Sequence, residues 1–338
     1  MSDVIPSAVR IFEIGTNFRA SKVLLSAVEL GVFSILSEQP LDLLSLTQRT
    51  GIAERGAKDF FDSLVALGFL TRDAQGNYAN TADTDFYLDR SKPTYIGALF
   101  DQYNKIGFGL WNSLTEALRT GLPQIATSAA SHFRTTYGDA EQFRTFVQSM
   151  TAGTLLTAKA IAEQFPWQNY KTLVDVGTAE GCLPVQVALT HRHICGTGFD
   201  LPELREPFEA FVARHDLSGR LQFHAGDFFK DPLPSADVLV FGRILHNWSD
   251  DSKRLLLRKA YNSLPKGGAV IVYETLIADD RLTHAAGLLA SLNMLLWTPE
   301  GSDFTGADCA AWMQETGFCE VRVESLVGTE AMVTGKKP

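Results

Sequence analysis

One stretch constrains what this chain can fold into: Lys171 to Gly181, KTLVDVGTAEG. An apolar run of Leu173, Val174 and Val176 carries one acid, Asp175, and stops at a turn of small residues, Gly177, Ala179 and Gly181. The residues that follow, Cys182 to Leu189, have the apolar spacing of a helix. Strand, tight turn and helix N-terminus form the front of a nucleotide-binding βαβ unit. Small residues let backbone and ligand approach closely, and the N–H groups at the helix start can meet a carboxylate or a phosphate. The turn alone does not say which nucleotide it holds.

The stretches downstream narrow that choice. Cys195 to Asp200, CGTGFD, reads as a second strand ending in an acid, placed to hydrogen-bond ribose hydroxyls. Leu221 to Phe229 gives a third strand, then Asp227 with Phe228 and Phe229. That set can hold an adenine, because a carboxylate accepts from the exocyclic amine and aromatic rings cover the flat face. Asp237 to Phe241 is a fourth strand, followed by Gly242-Arg243-Ile244-Leu245-His246-Asn247-Trp248, and Ala269 to Glu274 is a fifth. Acids and a histidine therefore gather at strand C-termini, where ligands sit in open α/β sheets. Glu180 lies within the turn itself, a poor neighbour for a pyrophosphate and a tolerable one for a sulfonium. This points away from a nicotinamide cofactor and towards S-adenosylmethionine.

With 338 residues the chain can bury a sizeable core in two domains, and its composition is that of a soluble globular protein. A net charge of −9 argues against a nucleic-acid partner held by its phosphates. The four cysteines form no CxxC pair, so neither a metal site nor a redox dithiol is signalled. No targeting segment is read at the N-terminus and no apolar run reaches membrane-spanning length, so the expectation is a cytoplasmic protein with no membrane partner.

Upstream, Val23 to Leu36 reads as a buried helix and Leu41 to Thr50 as a second, ending at Gly51. Glu54 to Leu67 is a third, with Phe60, Phe61, Leu64 and Leu67 in one stripe, and Phe69 to Thr81 holds two short strands around Asp-Ala-Gln-Gly-Asn. Three helices and a hairpin describe a winged helix. Its third helix is net acidic, with Glu54, Asp59 and Asp62 against Arg55 and Lys58, and phosphates would repel it. A dimerisation module fits better than a DNA-binding one. Tyr95 to Thr120 and Glu141 to Gln164 read as long apolar helices, the first carrying Gly107 and Gly109 as marks of a bend. Phe146 and Met150 share one face of the second, a pair that by itself reads as core. The expected division is a winged-helix dimerisation domain (1–90), connecting helices that supply a substrate roof and dimer contacts (91–167), and a cofactor-binding catalytic domain (168–338).

Together these residues resemble the two-domain, class I S-adenosylmethionine-dependent O-methyltransferases, which include plant caffeate-type and bacterial natural-product enzymes. The most specific pieces are RILHNW, the GG-x-V-I-V-x-E strand and GSDFT. The resemblance implies a Rossmann-like, mostly parallel α/β sheet beside a mainly helical winged-helix domain, and a homodimer. It implies His246 as general base, braced by Glu274 and Asp303. Asp175, Gly177 and Gly181 match its cofactor turn, Asp200 with Leu201 its ribose contact, and Asp227 with Phe228 its adenine contacts. Arg243 falls at a basic position near the cofactor, and Thr154 where a hydroxyl reaches the methionine carboxylate. Phe146, Met150, Met294 and Trp297 match substrate-lining positions. Asn247 stands where an Asp is frequent, and GTAEG where plant members have GGGTG.

Other readings stay open from the sequence. His246 alone reads as a core histidine, and Asp303 equally as an N-cap of the helix starting near Thr305. A cofactor-retaining cyclase or isomerase would use the same scaffold, and a winged-helix regulator would sense the same cofactor. The favoured reading is methyl transfer to a phenolic or enolic hydroxyl of a small molecule, since such hydroxyls lose a proton to an imidazole far more easily than aliphatic alcohols do.

Overall fold

The structure, a computed structural model, describes residues 7–125 and 140–338. Two units emerge, Met1–Gly109 and Leu110–Pro338.

In the first unit, α1 (Val9–Thr16) leads into a place where apolar periodicity joins what the backbone separates. The expected helix from Val23 to Leu36 is two helices, α2 (Phe18–Glu29) and α3 (Val32–Glu38). Gly31 breaks them apart with φ +69°, a conformation glycine adopts without steric cost. Then α4 (Leu43–Thr50) starts where the Asp42 carboxylate accepts from Ser45 N–H and stops at Gly51, as its sequence indicates. Within α5 (Glu54–Ala66), Arg55 and Gly56 leave helical geometry, so the regular turns begin at Ala57. Phe61 and Leu64 are buried and Phe60 half-buried, but Leu67 lies just past the helix end and is exposed. The hairpin is β1 (Leu70–Arg72) against β2 (Tyr78–Asn80), with Leu70 opposite Asn80. Next come α6 (Ala82–Leu88), which opens with a Thr81–Thr84 capping box, and α7 (Gly97–Gln102). Val28, Phe33, Leu46, Phe61, Leu64 and Tyr78 meet in this unit's core.

The long helix expected from Tyr95 to Thr120 is interrupted. A π turn at Tyr103–Gly107 and a 3-10 turn at Trp111–Ser113 separate α7 from α8 (Leu114–Thr120). Gly107 lies in the π turn, where the sequence marks a bend.

In the second unit, α9 (Ala140–Gln164) packs on α10 (Cys182–Thr190). The strands are β3 (Thr172–Val176), β4 (Cys195–Asp200), β5 (Leu221–Ala225), β6 (Val238–Gly242), β7 (Ala269–Thr275), β8 (Cys319–Ser325) and β9 (Glu330–Lys336). They form one sheet in the order β5-β4-β3-β6-β7-β9-β8, in which only β9 runs antiparallel to its neighbours. The remaining helices are α11 (Arg205–Arg214), α12 (Asp250–Ser263), α13 (Ala285–Trp297) and α14 (Gly306–Thr316). Val174, Val176, Leu239, Phe241, Val270 and Val272 are buried together with Leu256 and Leu257 of α12 and Met313 of α14. Unbroken apolar strands of this kind are what a sheet covered on both faces requires. Strand order reverses between β3 and β6, so the C-terminal ends of those strands open the crevice where α/β sheets bind ligands.

Candidate functional site

The turn after β3 is shaped by close contacts. Gly177 has φ +76°, and a Cβ there would lie 2.2 Å from the Ile244 Cδ1 atom. Gly181, at φ +91°, N-caps α10 and leaves room for the Phe208 ring, which a Cβ would approach to 2.6 Å. Ala179 also takes a left-handed conformation (φ 51°), although its Cβ makes that costly. The Asp200 side chain explains how Ala179 is held. One carboxylate oxygen accepts from Ala179 N–H at 2.9 Å and the other from Leu201 N–H at 2.7 Å. Asp200 thus ties the end of β4 to the turn after β3, and burial of the carboxyl lifts its pKa to about 6. Beneath it, the buried Asp175 accepts from Thr178 Oγ1 at 2.7 Å, and burial raises its pKa to about 7. Sequence reasoning missed Thr178, because its hydroxyl earns a role only once the turn folds back on Asp175.

Asp227 lies just beyond β5. Its carboxylate accepts from Phe229 N–H at 2.9 Å and from Lys230 Nζ at 2.8 Å. Burial would raise its pKa, but these donors outweigh burial and it lies below the usual range. The Phe228 ring stands edge-on to Phe229 and Trp248, with centroids 4.9 and 5.9 Å away. A carboxylate beside an aromatic wall at the end of β5, and a carboxylate at the end of β4, sit beside a turn that admits no extra side-chain atoms. That arrangement fits an adenosine-bearing ligand.

His246 lies in the 3-10 turn Leu245–Asn247, after β6. Its Nδ1 is 3.3 Å from Glu274 Oε2 and 3.3 Å from Asp303 Oδ1. Glu274 ends its run in β7 only 1% exposed, and Oε1 of the same carboxylate accepts from the backbone N–H of His246 at 3.4 Å. Burial would lower the imidazole pKa, yet the charge of Glu274, then the hydrogen bond and charge of Asp303, raise it above its ordinary value. Burial pushes the Glu274 pKa up to about 7, against the pull of His246. The capping alternative for Asp303 does not hold: α14 is N-capped by Thr305, which forms a reciprocal capping box with Asp308, leaving Asp303 directed at the imidazole.

The other sequence-derived positions are distributed as follows. Arg243 has φ 55°, and its guanidinium is 2.7 Å from Glu330 Oε1 at the start of β9, a partner the sequence did not reveal. The Asn247 amide donates back to the carbonyls of Arg243 and Ile244, so it staples the turn that carries His246. Phe146, Met150 and Thr154 stand four residues apart along α9, all half-buried. Met294 is buried and Trp297 half-buried on α13, which packs on the His246 turn.

Comparison with known proteins identifies the family. Residues 111–319 match the O-methyltransferase domain family, and residues 12–90 the O-methyltransferase dimerisation domain. The tetracenomycin polyketide synthesis 8-O-methyl transferase of Streptomyces glaucescens is 39% identical over 97% of this chain and 96% of its own length. An N,N-dimethyltransferase of Streptomyces rimosus is 32% identical over 98% of this chain and 97% of its own. The crystal structure of human N-acetylserotonin methyltransferase in complex with S-adenosylmethionine superposes with a TM-score of 0.89 at 27% identity, covering 100% of this chain and 99% of that one. The chain belongs to the two-domain S-adenosylmethionine-dependent O-methyltransferases.

Proposed function

We propose that this enzyme methylates a phenolic or enolic hydroxyl of a small aromatic molecule, with His246 as general base. The observation that carries the reading is one ring nitrogen, Nδ1, hydrogen-bonded to the buried Asp303 carboxylate with the charge of the buried Glu274 3.3 Å away. That contact favours the tautomer with the proton on Nδ1 and leaves Nε2 as the acceptor of the substrate's proton.

S-adenosylmethionine, when bound, supplies an activated methyl group. Asp200 and Leu201 would meet its ribose, Asp227 and Phe228 its adenine, and Asp175, Gly177 and Gly181 shape the turn beneath it, with Thr154 and Arg243 at its amino-acid end. The chain's remaining task is to orient the acceptor and take its proton. A phenol near pKa 10 and an ordinary imidazole near 6.5 differ by about 3.5 units, or roughly 5 kcal/mol for full transfer. The charges of Glu274 and Asp303 raise the His246 pKa and so narrow that gap. Phe146, Met150, Met294 and Trp297 would pack on the acceptor, with Asn247 beside it.

The polyketide O-methyltransferase relative supports an aromatic natural-product acceptor. The N,N-dimethyltransferase relative favours, as a second reading, an amine acceptor at the same base. We also propose that the chain works as a homodimer through residues 1–90, with 91–167 as connecting helices and 168–338 as the catalytic part. The dimerisation-domain match and the exposed apolar face of α1, with Ile11, Phe12 and Ile14, support this.

Incubation with methyl-labelled S-adenosylmethionine and a panel of phenols and arylamines, read by mass spectrometry, tests the reaction. Label on a phenolic oxygen is the expected result. Label only on nitrogen selects the second reading, and an acceptor converted with no gain of label would replace both with a cyclase or isomerase.

A further inference from the structure

A lysine stands where no lysine is expected. Lys253 lies on α12 and its side chain is 0% exposed. Its ammonium donates to Ser302 O at 2.9 Å, Ser302 Oγ at 3.1 Å and Asp250 Oδ1 at 3.0 Å. An ammonium has three donors, and all three are used. The rings of Phe304 and Trp312 flank it, with centroids 5.2 and 5.5 Å from Nζ. A charge buried in an apolar layer is costly unless it is paired and fully hydrogen-bonded, and replacement by an apolar side chain commonly costs a fold nothing. Two of its three bonds end on the residue immediately before Asp303.

We propose that Lys253 is a positioning residue for the proton transfer: it clamps residues 302–304 so that the Asp303 carboxylate stays on Nδ1 of His246. The inference rests on His246 as base and names the side chain that holds one of its two braces. The segment has two further ties, Asp303 N–H to Ser291 Oγ at 3.3 Å and Ile277 N–H to Phe304 O at 2.9 Å. Both fix main chain on the β7–α13 side, whereas Lys253 alone among the described residues holds Ser302 from α12. The charged groups around the imidazole are Glu274 and Asp303, which raise its pKa, and Arg243, which opposes them. Around the ammonium are Asp250, in direct contact, Cys309 of α14, whose thiol feels its charge, and Arg254, over the same Trp312 ring.

Lys253→Met keeps the aliphatic volume and removes the donors. The test is a double-mutant cycle of Lys253→Met with Asp303→Asn, read as turnover, as the acidic limb of the pH–rate profile and as the imidazole titration of His246 by NMR. The expected result is a roughly tenfold loss of turnover with unchanged cofactor affinity. The His246 titration should move to lower pH, in the direction Asp303→Asn moves it, and Lys253→Met should add little once Asp303 is Asn. Ser302→Ala, which deletes one acceptor and leaves the core intact, should move the titration less and in the same direction. It serves if Lys253→Met does not fold. Additive effects in the cycle, or lowered thermal stability with an unmoved His246 titration, would overturn the proposal. The NMR arm does not depend on turnover, so an active His246→Ala would defeat the base assignment while leaving the clamp measurable.

Discussion

One carboxylate, that of Glu274, faces both the ring and the main chain of His246: Oε2 lies 3.3 Å from Nδ1, and Oε1 accepts from the backbone N–H at 3.4 Å. The side chain thereby sets the ring's charge and the position of the turn together. Because the charge of Glu274 raises the imidazole pKa, Glu274→Gln should lower it. The base is competent only when unprotonated, so the acidic limb of kcat/KM should move to lower pH. The plateau should still fall, by less than on loss of the imidazole, since the imidazolium formed in the reaction loses its counter-charge. A limb that moves to higher pH would contradict this electrostatic assignment.

The cofactor turn makes a separate prediction. Gly177→Ala places a Cβ 2.2 Å from Ile244 Cδ1 at a positive φ. The backbone alone should cost about 1–2 kcal/mol, and the displaced turn should weaken S-adenosylmethionine binding in calorimetry. Ile244→Ala clears the clash but not the strain, so the double variant should recover part of the lost affinity. Fully additive losses would show that the two residues do not meet.

Asp200 has two tasks, and its replacement should reveal both. Asp200→Ala removes the proposed ribose acceptor and also strands the N–H groups of Ala179 and Leu201. Hydrogen bonds to a charged group are worth about 1.5–3 kcal/mol. Cofactor affinity should therefore fall by about tenfold to a hundredfold, with a measurable drop in the melting temperature of the ligand-free protein. Unchanged affinity would remove Asp200 from the cofactor site.

Thr305 separates capping from catalysis. Thr305→Ala should cost about 1 kcal/mol of stability, the usual worth of an N-cap, because its hydroxyl caps α14. The pH–rate profile should stay in place, since Asp303 reaches His246 without taking part in the cap. A shifted acidic limb would mean that the cap and the brace are coupled.

The central strands β3, β6 and β7 were legible because they are near-continuous apolar runs, a pattern that survives without tertiary context, whereas β8, CEVRVES, carries no such run. Helix breaks were harder. Around Gly31 the apolar spacing continues across a left-handed residue, so periodicity describes one helix where two exist. His246, Glu274 and Asp303 were legible as family-matched positions, and their proximity came only from the fold, which joins residues far apart in sequence. Lys253 stands in a charged run, SDDSKRLLLRKA, from which no single charge stands out in the sequence. The signal was present nonetheless: it lies three, four and seven residues before Leu256, Leu257 and Ala260, on the buried face of α12. Glu330 was invisible for another reason, since its pairing with Arg243 depends on the antiparallel register of β9 beside β7.

The most direct test of the account is turnover of His246→Ala with a phenol that the wild type methylates, measured across pH alongside cofactor affinity. The expected loss is about 10²–10⁴-fold, the usual worth of a positioned general base. Cofactor affinity should be unchanged, and the residual rate should rise with pH as the acceptor ionises without help. Near-normal methyl transfer by a folded, cofactor-binding His246→Ala would contradict the central claim.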